Sequence, residues 1–254
     1  MTTEISWIDH YYHSAKGRLF AELFRAQILE HLQPPQHILT IGFGYPYICL
    51  PSAQSCPVLV PSEMGAIAWP DVSGIMSATI ESDSWPLVND SVGQIVISHG
   101  LEFTYDPEAC LSEANRVLEG SGKLLLIVPN RRSLWVRRDD SPLGHGRPFS
   151  RLQLTKLVTN AGFEVTCVKR LLFLPPVGLN LPYRLARLFD KFGQILWSMF
   201  GGVLVVEATK LVYASPKKVQ HRPIPALSSW IGASAIEPHP TATNHTSKHV
   251  SHHR

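Results

Sequence analysis

The sequence predicts an α/β fold, a mainly parallel sheet of seven strands with helices on both faces, and three observations predict it. Short apolar runs alternate with helix-period segments through most of the 254 residues. Ile95-Val96-Ile97 is a continuous apolar run, the pattern of a strand covered on both faces. The run at 38–41 passes directly into Gly42-Phe43-Gly44, a tight glycine turn at a strand's carboxyl end, where open α/β sheets bind their ligands.

In chain order, residues 17–33 form an amphipathic helix. Leu19, Phe20, Leu23, Phe24, Ile28, Leu29 and Leu32 recur at three- and four-residue steps, and Pro34-Pro35 closes it. Strands follow at 38–41, 58–60, 75–80 and 94–98, with Ser62 placed to cap whatever follows the second. Asp106 as N-cap, Pro107 at the first position and Glu108 beside the dipole start a helix over 107–119. Gly120 stops it. A fifth strand covers 123–128. Ser150 and Gln153 have capping-box spacing, and Leu154, Leu157, Val158 and Ala161 face inward until Gly162. The sixth strand is 163–169, a helix-like stretch covers 182–200, and 203–213 holds the seventh.

Apolar residues make up 44% and charged residues 17%, enough for a sizeable core. The formal charge of +3 is unevenly placed. Residues 1–214 hold eighteen basic and nineteen acidic groups, whereas 215–254 hold Lys217, Lys218, Arg222, Lys248 and Arg254 against Glu237. The basic character belongs to a Pro-, Ser-, Thr- and His-rich tail that reads as disordered, and no nucleic-acid module is visible. Its histidines, among them His245, His249, His252 and His253, suit adventitious metal binding rather than a built site. Cys49, Cys56, Cys110 and Cys167 are scattered, as in reduced cytosolic proteins. No secretory signal opens the chain, and the apolar run at 195–206 falls short of the roughly 20 residues that span a bilayer. A cytoplasmic protein is expected.

Several motifs stand in a telling order. After Gly42-Phe43-Gly44 comes Glu63, about twenty residues on, where nucleotide folds place a ribose-binding acid. Glu81-Ser82-Asp83-Ser84-Trp85-Pro86-Leu87 precedes the fourth strand. Then follow Glu113 to Leu124 (EANRVLEGSGKL), Pro129 to Trp135 (PNRRSLW), Pro142 to Ser150 (PLGHGRPFS) and Ala161-Gly162-Phe163-Glu164-Val165. The series resembles the class I S-adenosylmethionine-dependent methyltransferases, specifically the type 11 branch and an uncharacterised bacterial subgroup of it. The resemblance spans roughly 37–165 and implies a Rossmann-like three-layer αβα sandwich. Three parts follow from it: a helical segment at 1–36 covering the cofactor site, a methyltransferase domain at 37–214, and the tail. Thr40 stands where the family has an acid, Pro46 where it has a third glycine, and Val92-Gly93-Gln94 where Phe-Asp is common.

The resemblance implies S-adenosylmethionine as cofactor, held by Gly42, Phe43, Gly44, Glu63, Met64, Asp83, Ser84, Trp85 and His99. Glu81 competes with Asp83 for the adenine side. Methyl transfer is an in-line displacement, so most of the catalysis comes from alignment. A base is needed only where the acceptor must lose a proton. His99 and His145 are the candidate catalytic residues, against local hydrogen bonding for the first and loop packing for the second. Tyr12 or Arg18 would reach the cofactor's carboxylate if the N-terminal segment closes over it. The cluster of Arg131, Arg132, Arg137 and Arg138 either faces an acidic acceptor or is an exposed loop. The 182–200 segment serves as acceptor lid, dimer surface, weak membrane contact or, preferably, a helix packed on the sheet. The acceptor is expected to be a small molecule. Competing readings are a methyltransferase-like binding or regulatory protein and a nicotinamide-dependent oxidoreductase.

Overall fold

Strand order fixes where a ligand can sit. The computed structural model describes residues 4–28, 38–50, 56–67, 77–176 and 182–211. Its seven strands are β1 (Thr40–Gly44), β2 (Val58–Pro61), β3 (Ser77–Ile80), β4 (Val92–Ser98), β5 (Leu118–Pro129), β6 (Phe163–Leu171) and β7 (Val203–Lys210). They form one sheet in the order β3-β2-β1-β4-β5-β7-β6. β7 alone runs antiparallel, pairing with β5 and β6. The connection direction switches between β1 and β4, so their carboxyl ends open the crevice where such sheets take ligands.

Among the described residues two helices precede the sheet, α1 (Ile5–His13) and α2 (Ala15–Ile28), where the periodicity predicted one beginning at 17. Ser14 divides them. Its hydroxyl donates to the Tyr11 carbonyl at 2.6 Å and accepts from Gly17 N–H at 3.1 Å, so it ends one helix and caps the next. Residues 29–37, including Pro34-Pro35, lie outside the described residues, as do 75–76 of the expected third strand and the tail with its histidines.

The two faces of the sheet are covered by different helices. Leu125, Ile127, Val203 and Val205 pack with Phe20, Phe24 and Ile28 of α2 and Ile5, Ile8 and Tyr12 of α1. Leu124, Leu126, Leu204 and Val206 pack against α3 (Pro107–Val117) and α4 (Arg151–Asn160) through Cys110, Leu111, Leu154 and Val158. Alternation along β5 and β7 therefore builds both cores of a three-layer sandwich.

The caps behave as the sequence predicts. Asp106 accepts from Glu108 N–H at 2.9 Å and Ala109 N–H at 3.1 Å, and Ser150 accepts from Gln153 N–H at 3.3 Å. α3 ends at Val117, ahead of the expected stop at Gly120, because β5 begins with the next residue.

α5 (Tyr183–Leu196) departs from expectation. Instead of laying its apolar stripe on the sheet, it turns Ala186, Asp190 and Gly193 inward. The cause is Asp190, whose carboxylate accepts from Phe173 N–H at 2.6 Å, Leu174 N–H at 3.0 Å and Gln27 Nε2 at 3.1 Å. These bonds fix the helix's rotation and leave its leucines and phenylalanines exposed.

Candidate active site

The glycine turn is built differently from the sequence reading. β1 continues through Gly44, pairing Gly42 with Val96, Phe43 with Ile97 and Gly44 with Ser98, so the glycines lie in the strand end rather than in a loop beyond it. Each makes room for the chain itself. A Cβ on Gly42 would lie 2.5 Å from the Pro46 ring. On Gly44, at φ +83°, it would meet the Ser98 and His99 carbonyls and Gly100 Cα within 2.6 Å. Backbone bonds hold the turn, from Gly42 N–H to the Pro57 carbonyl at 2.9 Å and from Tyr45 N–H to the Ser98 carbonyl at 2.6 Å. Thr40, in the acid's place, is buried with its hydroxyl unpartnered.

Beside the turn lies His99, immediately after β4 at φ +44°, a left-handed backbone that histidine adopts more readily than most residues. Its ring is buried between two partners. Nε2 lies 2.7 Å from the Tyr12 hydroxyl and Nδ1 lies 3.1 Å from Glu102 Oε1. Burial drives the Tyr12 phenol well above its ordinary pKa, so Tyr12 keeps its proton and donates it to Nε2. Nδ1–H then donates to the Glu102 carboxylate, the usual way of fixing a catalytic imidazole's tautomer. Glu102 Oε2 is buried with no partner among the described residues. Tyr12 also stacks on Tyr45 at 5.5 Å and meets Phe20 edge-on, so α1 lies against the glycine turn through aromatic rings.

His145 closes the same circuit. Its ring meets Trp7 edge-on at 4.7 Å, and its Nε2 bonds the Asp139 carbonyl at 2.9 Å. Arg147 N–H donates to the Glu102 carbonyl at 2.8 Å. α1 thus links His99, through Tyr12, to His145, through Trp7, with no hydrogen bond between the two imidazoles. Arg18 is exposed.

Glu63 lies in the short turn after β2. Its Oε1 accepts from the Ser82 hydroxyl at 2.7 Å, while Oε2 is buried and has no partner among the described residues. Asp83 and Ser84 are exposed beside it, Glu81 accepts from the Ser62 hydroxyl at 3.0 Å, and Met64 is buried in the core on the α1 side. Trp85 is buried in the opposite core, stacked on Phe43 at 4.9 Å with its indole N–H on the Ser82 carbonyl at 3.0 Å. That makes it an anchor for the loop.

The Glu113/Arg116 pair clamps the same loop from α3. Arg116 donates to the Trp85 and Leu87 carbonyls at 2.9 Å, and Glu113 accepts from Trp85 N–H at 2.8 Å. Arg116 holds the Glu113 carboxyl below its usual range. The arginine cluster divides as well: Arg138 pairs with Asp140, and Arg132 lines a separate cavity. Burial pushes the Cys49 thiol up to about 12 and Cys56 up to about 11, so neither is a ready nucleophile. Among the described residues, no group of three His, Cys, Asp or Glu side chains could hold a metal ion.

Comparison with solved structures decides the architecture. A Thermotoga maritima S-adenosylmethionine-dependent methyltransferase superposes with a TM-score of 0.57 over 82% of this chain and 98% of that one, at 23% identity. The chain has the class I methyltransferase fold. Sequence relatives with the same assignment are more local. A Mycolicibacterium smegmatis protein named a probable S-adenosylmethionine-dependent methyltransferase is 38% identical over 82 residues, 32% of each chain. A Mycobacterium tuberculosis protein of the same name is 36% identical over 80 residues, 31% of this chain and 29% of its own. The chain thus spans about a third of the curated relatives it matches. No family model matches it, so the finer type 11 grouping stands on motifs alone.

Within the class I fold, Glu63 follows β2, Asp83 and Ser84 follow β3, and His99 follows β4. Tyr12 and Glu102 complete the histidine site. The spacing of His99 and Glu102, three residues apart on one turn, is the signal that would have found the latter.

Proposed function

We propose that this protein is an S-adenosylmethionine-dependent methyltransferase whose acceptor is a small molecule deprotonated at His99. The observation that carries the reading is Glu63 Oε2, a buried carboxylate oxygen with no donor among the described residues, two residues beyond β2 in a class I fold. A buried acceptor left empty costs roughly 1–3 kcal/mol, and a ribose hydroxyl pair offers the donor it lacks. Asp83 and Ser84 stand on the adenine side, and the β1 end with Gly42, Phe43 and Gly44 forms the floor.

The cofactor supplies an electrophilic methyl group. The rest falls to the chain. His99 holds its Nε2 lone pair toward Tyr12, with Glu102 orienting the ring and ready to share a positive charge. The Tyr12 hydroxyl occupies the place an acceptor's O–H or N–H would take. An acceptor has to displace the Tyr12 hydroxyl to reach Nε2, and the packed rings of Tyr12, Tyr45 and Phe20 exclude water around it. Trp7 and His145 form the rim.

Calorimetry on the full chain tests the reading. S-adenosylmethionine and S-adenosylhomocysteine should bind at one site, NAD(H) should not, and Glu63→Gln should weaken binding at least tenfold with the fold intact. Selective binding of NAD(H) would replace the reading with an oxidoreductase. Binding of none would favour a regulatory protein, a second reading that Tyr12's capping of Nε2 also fits.

A further inference from the structure

Nine large apolar side chains between 185 and 200 are exposed. Phe192 is 60% accessible, Leu196 71% and Ile195 79%, with Leu185, Leu188 and Phe189 on the same helix. Trp197, Met199 and Phe200 extend the patch beyond the end of α5. Contiguous exposed apolar surface on this scale marks an interaction site.

The charges beside it have one sign. Helical spacing gathers Arg184, Arg187 and Lys191 into a stripe flanking the apolar face, and all three are exposed. The helix's single acid, Asp190, is turned into the protein and used by Phe173, Leu174 and Gln27. An apolar face edged by cations alone is the pattern of a helix lying in a membrane interface. A second copy seated on this face would bring two such stripes together with no exposed acid of α5 to neutralise them.

A second feature is basic. A cavity of about 700 Å³ at the β6 edge is lined by Arg132, Arg151 and Arg170, together with Asn130, Ser150 and Thr155, and by no acid among its described lining residues. None of the three guanidinium groups has a carboxylate partner among the described residues. Burial, then the charges of Arg151 and Arg132, lower the Arg170 pKa, the mark of cations crowded without a counterion. The cavity wall touches the segment that follows α5, residues 199–201. Asn130 Nδ2 donates to the Met199 carbonyl at 3.3 Å and the Gly201 carbonyl at 2.7 Å, and a Cβ on Gly201 would lie 3.0 Å from Arg170 Cβ.

We propose that α5 and residues 197–200 dock this protein on an anionic lipid bilayer, with the Arg132–Arg151–Arg170 cavity receiving a headgroup phosphate. The apolar residues enter the acyl boundary, the helix cations reach the phosphates around them, and the cavity takes one phosphate bidentately. The surface lies on different elements from the His99 site, so it stands whether or not methyl transfer is established.

Vesicle flotation of the full chain tests this, using phosphatidylcholine with and without phosphatidylglycerol. Each helix cation contributes roughly fivefold near an anionic surface, so the three give an expected preference of about a hundredfold for anionic vesicles. Phe192→Glu and Leu188→Glu, at exposed positions, should each lower that binding at least tenfold with circular dichroism unchanged. Arg132→Gln/Arg151→Gln should lower it several-fold. Failure to float, or equal binding to both vesicle types, overturns the proposal. So does a dimer in light scattering that Phe192→Glu dissociates, which gives the patch to a second copy. Inorganic phosphate binding at the arginines without flotation makes the cavity a free-anion site and also overturns it. Flotation that survives Phe192→Glu but is lost on neutralising Lys217, Lys218 and Arg222 gives the membrane to the tail instead.

Discussion

Replacing Tyr12 with Phe removes one oxygen and leaves the ring where it is. The lost interaction is the 2.7 Å bond to His99 Nε2, between two buried side chains. Removing the donor forfeits a hydrogen bond and strands an imidazole nitrogen out of reach of water, together about 2 kcal/mol. The stack on Tyr45 and the edge contact with Phe20 survive, so the loss should stay well below the roughly 3–5 kcal/mol of deleting a whole buried ring. For a folded body of about 200 residues, that lowers Tm by roughly 4–8 °C. A double-mutant cycle with His99→Asn isolates the pair, because asparagine tolerates the left-handed backbone at 99. Urea denaturation of the four proteins should return a coupling of about 1–2 kcal/mol. Strict additivity would refute the placement of the Tyr12 hydroxyl on His99, and with it the role of α1 as cover for the site.

Arg116→Ala should cost about 3 kcal/mol in urea denaturation, since it frees the Trp85 and Leu87 carbonyls and leaves Glu113 without its cation. Glu113, whose folded pKa is lowered by Arg116, adds stability above its ordinary value of 4.5 that is lost as pH falls through the folded value; Glu113→Gln should flatten that limb. Asp190 has the opposite sign. Burial raises its folded pKa above the ordinary 3.8, so stability falls as pH rises from there through the folded value, and Asp190→Asn should remove the slope while keeping an acceptor for Phe173 and Leu174. Gly44→Ala should destabilise by about 2–3 kcal/mol in chemical denaturation with or without ligand, because its Cβ meets the end of β4 in a left-handed backbone. A change confined to ligand affinity would show that β4 gives way there.

The strands were legible because strands covered on both faces need continuous apolar runs, and 94–98 and 123–128 lie within β4 and β5. Capping chemistry located α3 and α4 for the same kind of reason, since Asp106 and Ser150 satisfy backbone donors that nothing else reaches. The glycine turn was legible as a place but not as a shape. Pairing with β4 extends β1 through Gly44, and pairing is a property of the partner strand. Within the helical segment implied at 1–36, periodicity alone drew a helix only from 17, although Ile5, Ile8 and Tyr12 already have helical spacing. Amphipathicity located α5 without saying which side faces water; Asp190 decides that through two amides on a distant loop. At the site, glycines and acids could be placed by spacing, whereas the Tyr12–His99–Glu102 chain needs residues 87 positions apart to meet.

The most direct test of the central claim is a crystal structure of the full chain with S-adenosylhomocysteine. The expected result is ribose hydroxyls within hydrogen-bond distance of Glu63 Oε2 and the sulfur directed toward the His99 end of β4. A ligand bound elsewhere, or in this crevice with Glu63 Oε2 still without a donor, would contradict it.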